Sequence, residues 1–326
     1  MVSDGNTYLK FNPLNSVKID FGAYIKEMQN KDEAHRINGI PDYAFPLDLK
    51  LRGELRKIPF FYSISKKVAV HVEARYRQII TASAVLAGPN QFSDIYEMAR
   101  DCAKRLGIGV PNVYIIHDQS INASTYASDT VTPTIVIHSG MVERMTPGEL
   151  KCVIGHECGH VHNEHIVYQS IYNVLANLLT DRNIIIQLLS ASNVVMFYEW
   201  SRAAEITCDR AAMICADNIE DAINVNKKLA YGTFINRQDE VNIDELRRQL
   251  DDLSTIASVA TELYNTHPSS IRRVLTSEEF SHCELLYQWR PELKKPDMIL
   301  HTKEETDALC AKYVAVLKDE RKGVEE

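Results

Sequence analysis

The chain lacks any C-x-x-C pair. Its seven cysteines (Cys102, Cys152, Cys158, Cys208, Cys215, Cys283 and Cys310) are odd in number and scattered. They read as free thiols in a reducing compartment rather than as a disulfide framework. A basic excess is lacking too. Lys and Arg number 36 against 44 Asp and Glu, for a formal net charge of -8, which argues against a general phosphate-binding surface and makes nucleic acid an unexpected partner. The stretch from Met1 to Leu14, with Asp4, Gly5, Asn6 and Asn12, lacks the basic-then-apolar order of a signal peptide, so the expected location is cytoplasmic. Nor is there an unbroken apolar run of the roughly 20 residues that span a bilayer. The one membrane-like stretch, Ile166 to Tyr198, is divided by Asp181-Arg182 and carries Asn, Gln or Ser in both halves. A buried or amphipathic helical hairpin is expected there, and membrane association is left open but not favoured.

What is present is an ordinary globular composition, 45% hydrophobic and 25% charged over 326 residues, enough for one large domain or two smaller ones. Pro13, Pro41, Pro46 and Pro59 punctuate the first 62 residues, which are expected to wrap around a later core. Helical patterns follow at 63–86 and 91–106, broken by Gly88-Pro89-Asn90. We therefore divide the chain into an N-terminal wrapping or scaffold segment, 1–89, and a catalytic domain, 90–326. Three β-rich runs, 112–117, 121–127 and 131–138, predict a small antiparallel or mixed sheet. Beyond them the spacing predicts helices at 147–165, 168–190, 194–217, 219–232, 242–265, 269–280 and 303–320. The fold class expected is α+β, mainly helical.

The decisive segment begins at Thr146-Pro147-Gly148-Glu149, a capping-box pattern with proline at the first helical position. On the helix so started, His156 and His160 lie four residues apart and share a face, which lets both imidazoles hold one ion. Glu157 beside them is suited to take a proton from an activated water, as in the H-E-x-x-H pattern. The competing reading is two surface histidines that happen to share a face. A catalytic zinc wants a third protein ligand. The H-E-x-x-H-x-x-G-x-x-H solution fails, because Asn163 and Ile166 stand where Gly and His are required. Glu205, on a second helix, fits instead, with Asp209 four residues on to accept the other N–H of a ligand histidine and fix its tautomer. An ordinary ion-pairing role is the alternative for Glu205.

Taken in order, Asn122-Ala123, Ile135-Val136-Ile137, Gly140, Glu149-Leu150, His156-Glu157-Cys158-Gly159-His160, His165, Glu205 with Asp209, and Thr266-His267-Pro268 with Arg273 resemble the gluzincin metallopeptidases that include the HtpX-type heat-shock proteases and the CaaX prenyl endopeptidases. The likeness covers about residues 90 to 280. It implies a zincin-like fold with a small edge-strand sheet, and one zinc per chain. It implies an endopeptidase of protein or peptide substrates that pair as an added strand near Asn122. It also implies that His267 assists the transition state, with Arg273 orienting it. For Asn122 a plain turn role stays open, as does a helix-start role for His267. Three departures matter. Convincing transmembrane helices are missing, the first 90 residues match nothing in the family, and Cys158 and Cys208 replace an apolar residue and Ala; both cysteines are read as small packing residues. His165 is read as a packing or supporting residue of the site. The rival readings are a zinc-containing interaction protein without turnover and a membrane-surface adaptor using 166–198.

Overall fold

A tight hairpin opens the structure, β1 (Arg36–Ile37) pairing antiparallel with β2 (Ile40–Pro41) around Asn38-Gly39, both at positive φ, as a two-residue hairpin turn of this hand requires. The structure is a computed structural model that describes residues 35–58, 61–128, 131–168, 191–232, 237, 240–252 and 268–315. Helix α1 (Pro46–Lys57) starts on a proline with Asp48 in its first turn. It was not apparent in the sequence, because Asp48 and Arg52 occupy buried positions beside Leu51 and Leu55 and blur the apolar stripe. Helix α2 (Phe61–Ser83) follows. The predicted helix 63–86 ends early, since residues 84–86 leave it as strand β3 (Ala84–Leu86).

Strand β3, with β4 (Asn112–Ile116), β5 (Ala123–Ser128) and β6 (Val131–His138), makes a four-stranded mixed sheet of order β3-β4-β6-β5. Strands β4 and β6 are parallel, while β5 runs antiparallel to β6 at the sheet edge. Register Thr125↔Ile135↔Val113 and Ala123↔Ile137↔Ile115 puts the odd-numbered residues on one face. Ile135 and Ile137 on that face are fully buried in the main core. On the other face Tyr126 stacks on Tyr76 of α2, ring centroids 4.6 Å apart. The β5 edge is therefore flanked by helices above and below.

Helix α3 (Ser93–Arg105), short α4 (Ser139–Arg144) and α5 (Pro147–His162) lead to the long α6 (Ala191–Cys215). Then come α7 (Ile219–Tyr231), α8 (Ile243–Asp252), α9 (Ser270–Ser281), α10 (Glu284–Trp289) and α11 (Lys303–Val314). Helix α10 was not foreseen from the sequence. Residues 169–190, which hold nearly all of the predicted helix 168–190 and the middle of the hairpin expected over 166–198, lie outside the described residues, as do 253–267. Among the described residues no helix is long and apolar enough to cross a membrane.

The packing of α5 on α6 positions the site. Thr146 caps α5 through the expected box, its hydroxyl accepting from Glu149 N at 3.3 Å while the Glu149 carboxylate accepts from Thr146 N at 2.7 Å. Gly155 and Gly159 then let the two backbones approach. A Cβ at Gly155 would stand 2.5 Å from the Cys215 Cβ, and one at Gly159 would stand 2.7 Å from the Ala211 Cβ. The far end of α6 is fixed by two arginines that donate to its orphan carbonyls. Arg105 reaches Cys215 O and Ala216 O at 2.8 and 2.9 Å, and Arg290 reaches Ile214 O at 2.6 Å. The N-terminal segment is part of the same body: Tyr43 and Ala87 belong to the main core, and Leu51 and Leu55 of α1 pack with Trp200 and Ala204 of α6.

Candidate metal and catalytic site

Helical periodicity carries His156 and His160 to the face of α5 that meets α6, and Glu205 rises from α6 between them. One Glu205 oxygen lies 3.3 Å from His156 Nε2 and the other 3.4 Å from His160 Nε2. The carboxylate thus faces both imidazoles, all three groups being largely buried. Asp209, one turn along α6, accepts from His156 Nδ1 at 3.0 Å, so Nε2 is the nitrogen left to face Glu205 and any cation held between them. Arg273 of α9 grips Asp209 with both ends of its guanidinium, Nε to Oδ2 at 2.9 Å and Nη2 to Oδ1 at 2.6 Å, and lies 3.7 Å from Glu205. This fork is the geometry in which Arg binds a carboxylate most strongly. Arg273 is therefore a partner of Asp209 in the structure, and His267, which it was expected to orient, lies outside the described residues.

The electrostatics ask for a cation. Burial works to lower the His156 pKa, yet Asp209 and Glu205, one at each ring nitrogen, raise it to about 9. Burial likewise favours the neutral form of Asp209, but Arg273 and His156 overcome it and hold the carboxyl below its usual range. Two imidazole nitrogens and a carboxylate that converge in a buried cleft are the donor set of a catalytic zinc site. Cys208 also lies near the two histidines. Its sulfur, however, stands 3.5 Å from His165 Nδ1, the atom that faces His160 Nδ1, whereas Glu205 meets the Nε2 side of both rings. Burial pushes the Cys208 thiol well up, so on both grounds Glu205 is the better third donor. Cys158 is buried too, its thiol also pushed up by burial, and all seven cysteines are free and buried.

Glu157 lines a cleft of about 310 Å³. Thr125 on β5 donates its hydroxyl to Glu157 Oε2 at 2.5 Å. The same cleft is lined by Asn122 and Ala123 at the start of β5, by His156, Glu205 and Arg273, and by an apolar wall that includes Met141, Val153, Val225 and Leu229. Asn122 is exposed, and its carbonyl accepts from His138 N at 3.0 Å. Sequence reasoning missed Thr125, because nothing local marks a hydroxyl 32 residues before the glutamate it will meet. It also missed Asp48, whose carboxylate is fully buried beside the site.

The family model described as peptidase family M48 matches residues 89–279. The plastoglobule-localized metallopeptidase 48 of Arabidopsis thaliana is 27% identical over 249 residues, 74% of this chain and 72% of that protein. Protease HtpX homologs from Thermoanaerobacter pseudethanolicus and Streptococcus uberis are 28% and 30% identical over 31% and 38% of this chain. The matched regions span only 34% and 40% of those two proteins. Among solved structures, that of Ste24p from S. mikatae matches with a TM-score of 0.35 and 16% identity, over 80% of this chain and 68% of that one.

Proposed function

This chain belongs to peptidase family M48 and is a metal-dependent endopeptidase, and from that premise we propose that zinc is the metal, held by His156, His160 and Glu205, with Glu157 as the catalytic base. The observation that carries the assignment is the Glu205 carboxylate set against both imidazole Nε2 atoms. A zinc ion held there would supply Lewis-acid polarisation of the scissile carbonyl and would lower the pKa of a water towards neutrality. The protein does the rest. Glu157 accepts the water's proton at its carboxylate and delivers it to the leaving amine, and Thr125 keeps that carboxylate aimed into the cleft. The peptide pairs as an added strand along β5 beginning near Asn122, where the sheet order leaves β5 at the edge. The apolar wall beside Glu157 suits an apolar side chain next to the scissile bond. We assign His267 as donor to the developing oxyanion, since its sequence neighbour Pro268 lines the cleft. A reducing compartment such as the cytoplasm suits the seven free cysteines.

The test is metal analysis combined with cleavage of quenched peptides. Wild type should hold about one zinc, as a three-ligand catalytic site does. Glu157→Gln should keep the zinc and lose on the order of 10²–10⁴ in kcat, whereas Glu205→Ala should lose the zinc itself. His267→Ala should keep zinc and lose about 10²–10³ in kcat with little change in KM. Full zinc in the Glu205 variant, or chelator-sensitive turnover surviving in Glu157→Gln, would overturn the corresponding role.

A further inference from the structure

The zinc reading, on which this inference rests, accounts for both nitrogens of His156 but for only one of His160. His160 Nε2 faces Glu205, while its Nδ1 lies 3.2 Å from Nδ1 of His165. Two ring nitrogens at that distance need one proton between them. The other side of His165 decides whose proton it is. His165 Nε2 is 3.0 Å from Asp48 Oδ2, and a carboxylate only accepts, so Nε2 carries the hydrogen. His165 is fully buried, and the two groups that face its Nδ1, His160 Nδ1 and Cys208 Sγ, can both donate, which suits a ring whose hydrogen sits on Nε2. Its Nδ1 is then a bare lone pair, and His160 Nδ1 must donate to it. The consequence reaches the metal side: His160 is fixed as the tautomer whose Nε2 lone pair is free. Cys208, with its sulfur 3.5 Å from the same His165 Nδ1, fits this arrangement as a weak S–H donor.

We propose that Asp48 is a positioning residue for the metal site, acting through His165 to set the tautomer and orientation of His160. The carboxylate is itself over-determined. Trp200 donates to Oδ1 at 2.9 Å and Thr207 to Oδ2 at 2.8 Å, both from α6, which also carries Glu205. Asp48, His165, Trp200 and Thr207 are all fully buried, so no water competes for these bonds. The site has two supporting arms of different build. His156 is held directly by Asp209 and Arg273 from the catalytic helices, and His160 indirectly by a relay that ends on α1, outside the family-matched stretch 89–279.

A merely structural Asp48, tying α1 to α6, makes a different forecast. In Asp48→Asn, if Trp200 keeps the amide oxygen, the amide nitrogen faces His165 Nε2 and turns it into an acceptor. His165 Nδ1 then gains the hydrogen, and His160 must place its own on Nε2. The full-length variants should be compared for zinc affinity, by competition with a chromophoric chelator, and for the melting temperature of the zinc-free protein. Asp48→Asn should weaken zinc binding by about 10- to 100-fold, the usual effect of losing a partner behind a metal ligand. Leu55→Ala, in the same helix and against the same Trp200 cluster, should lower the melting temperature and leave zinc affinity unchanged. His165→Leu keeps the Trp200 and Thr207 bonds to Asp48 and should weaken zinc as Asp48→Asn does; it carries the test alone if Asp48→Asn does not fold. The double variant should bind within about twofold of the weaker single one, because the two act in series. Wild-type zinc affinity in His165→Leu, or a loss in Asp48→Asn that Leu55→Ala reproduces at equal melting temperature, overturns the relay. Glu205→Ala in the same assay separates the two levels: unaltered affinity there sinks the cage itself and the relay with it.

Discussion

Glu157 is aimed by a hydroxyl. Thr125 projects from the odd-numbered face of β5 and donates to Oε2, and a hydrogen bond to a charged group contributes about 1.5–3 kcal/mol when buried. Thr125→Val preserves the shape and β-propensity of the strand and removes only the donor. It should lower kcat on the order of tenfold while KM and zinc content stay put; an unchanged kcat on folded, zinc-loaded protein would show that Glu157 needs no such partner. This residue also marks the limit of what the sequence discloses. His156, Glu157 and His160 are legible because a helix repeats every 3.6 residues, and the same rule links Glu205 to Asp209. Thr125 meets Glu157, and Asp48 meets His165, only through the folded arrangement of strands and helices, and no spacing rule spans 32 or 117 residues.

Helices α5 and α6 form the frame in which those residues meet, and its width is set by Gly155 and Gly159. The Gly159→Ala methyl would stand 2.7 Å from the Ala211 Cβ and 3.1 Å from the Cys208 Cα, neither of which can swing aside as a flexible side-chain end could. Overpacking of this kind costs about 1–3 kcal/mol, and the better helix propensity of alanine offsets up to ~1 kcal/mol of it. The melting temperature should therefore fall only modestly. Zinc affinity is the sharper readout, since wedging the helices apart moves Glu205 away from two imidazoles at once; wild-type affinity would mean that the frame tolerates the displacement. The capping box that starts α5 is written in Thr146, Pro147 and Glu149. Helix α1 was hidden for the opposite reason, its buried face carrying Asp48 and Arg52, so a polar relay and a guanidinium occupy positions that periodicity reserves for apolar side chains. Strand β3 was absorbed into the preceding helix because Ala84-Val85-Leu86 continues its apolar run without a stop signal.

At the scale of the molecule, the N-terminal segment and the catalytic helices share one interior, and acid should reveal the link. Burial alone would raise the Asp48 carboxyl, but His165, Arg52 and Thr207 around it bring it down to about 2 from an ordinary 3.8. A depressed folded pKa means that the stabilisation is fully present above the ordinary value and is lost as pH falls towards about 2. The size is on the order of 2 kcal/mol. Denaturant unfolding of chelator-treated protein between about pH 2 and pH 6 should show a steeper acid loss in wild type than in Asp48→Asn; parallel curves would mean that Asp48 is not held in its ionised form by the fold. Strands β4, β5 and β6 and most of the late helices follow from local pattern alone. How the first 89 residues attach does not, because Tyr43, Asp48 and Leu55 find their partners on elements made much later.

That order of manufacture has a consequence of its own. Asp48 leaves the ribosome 117 residues ahead of His165 and 152 ahead of Trp200, an interval of roughly 6 to 30 s at the usual pace of translation of about 5–20 residues per second. Throughout it α1 lacks the α6 side chains, Trp200 and Ala204, against which Leu51 and Leu55 pack. Glu205 comes only after both histidines, and the guanidinium that clamps Asp209 follows a further 64 residues behind Asp209. A nascent chain therefore carries every part of H-E-x-x-H before it carries Glu205, and it carries Asp209 before the Arg273 guanidinium that clamps it.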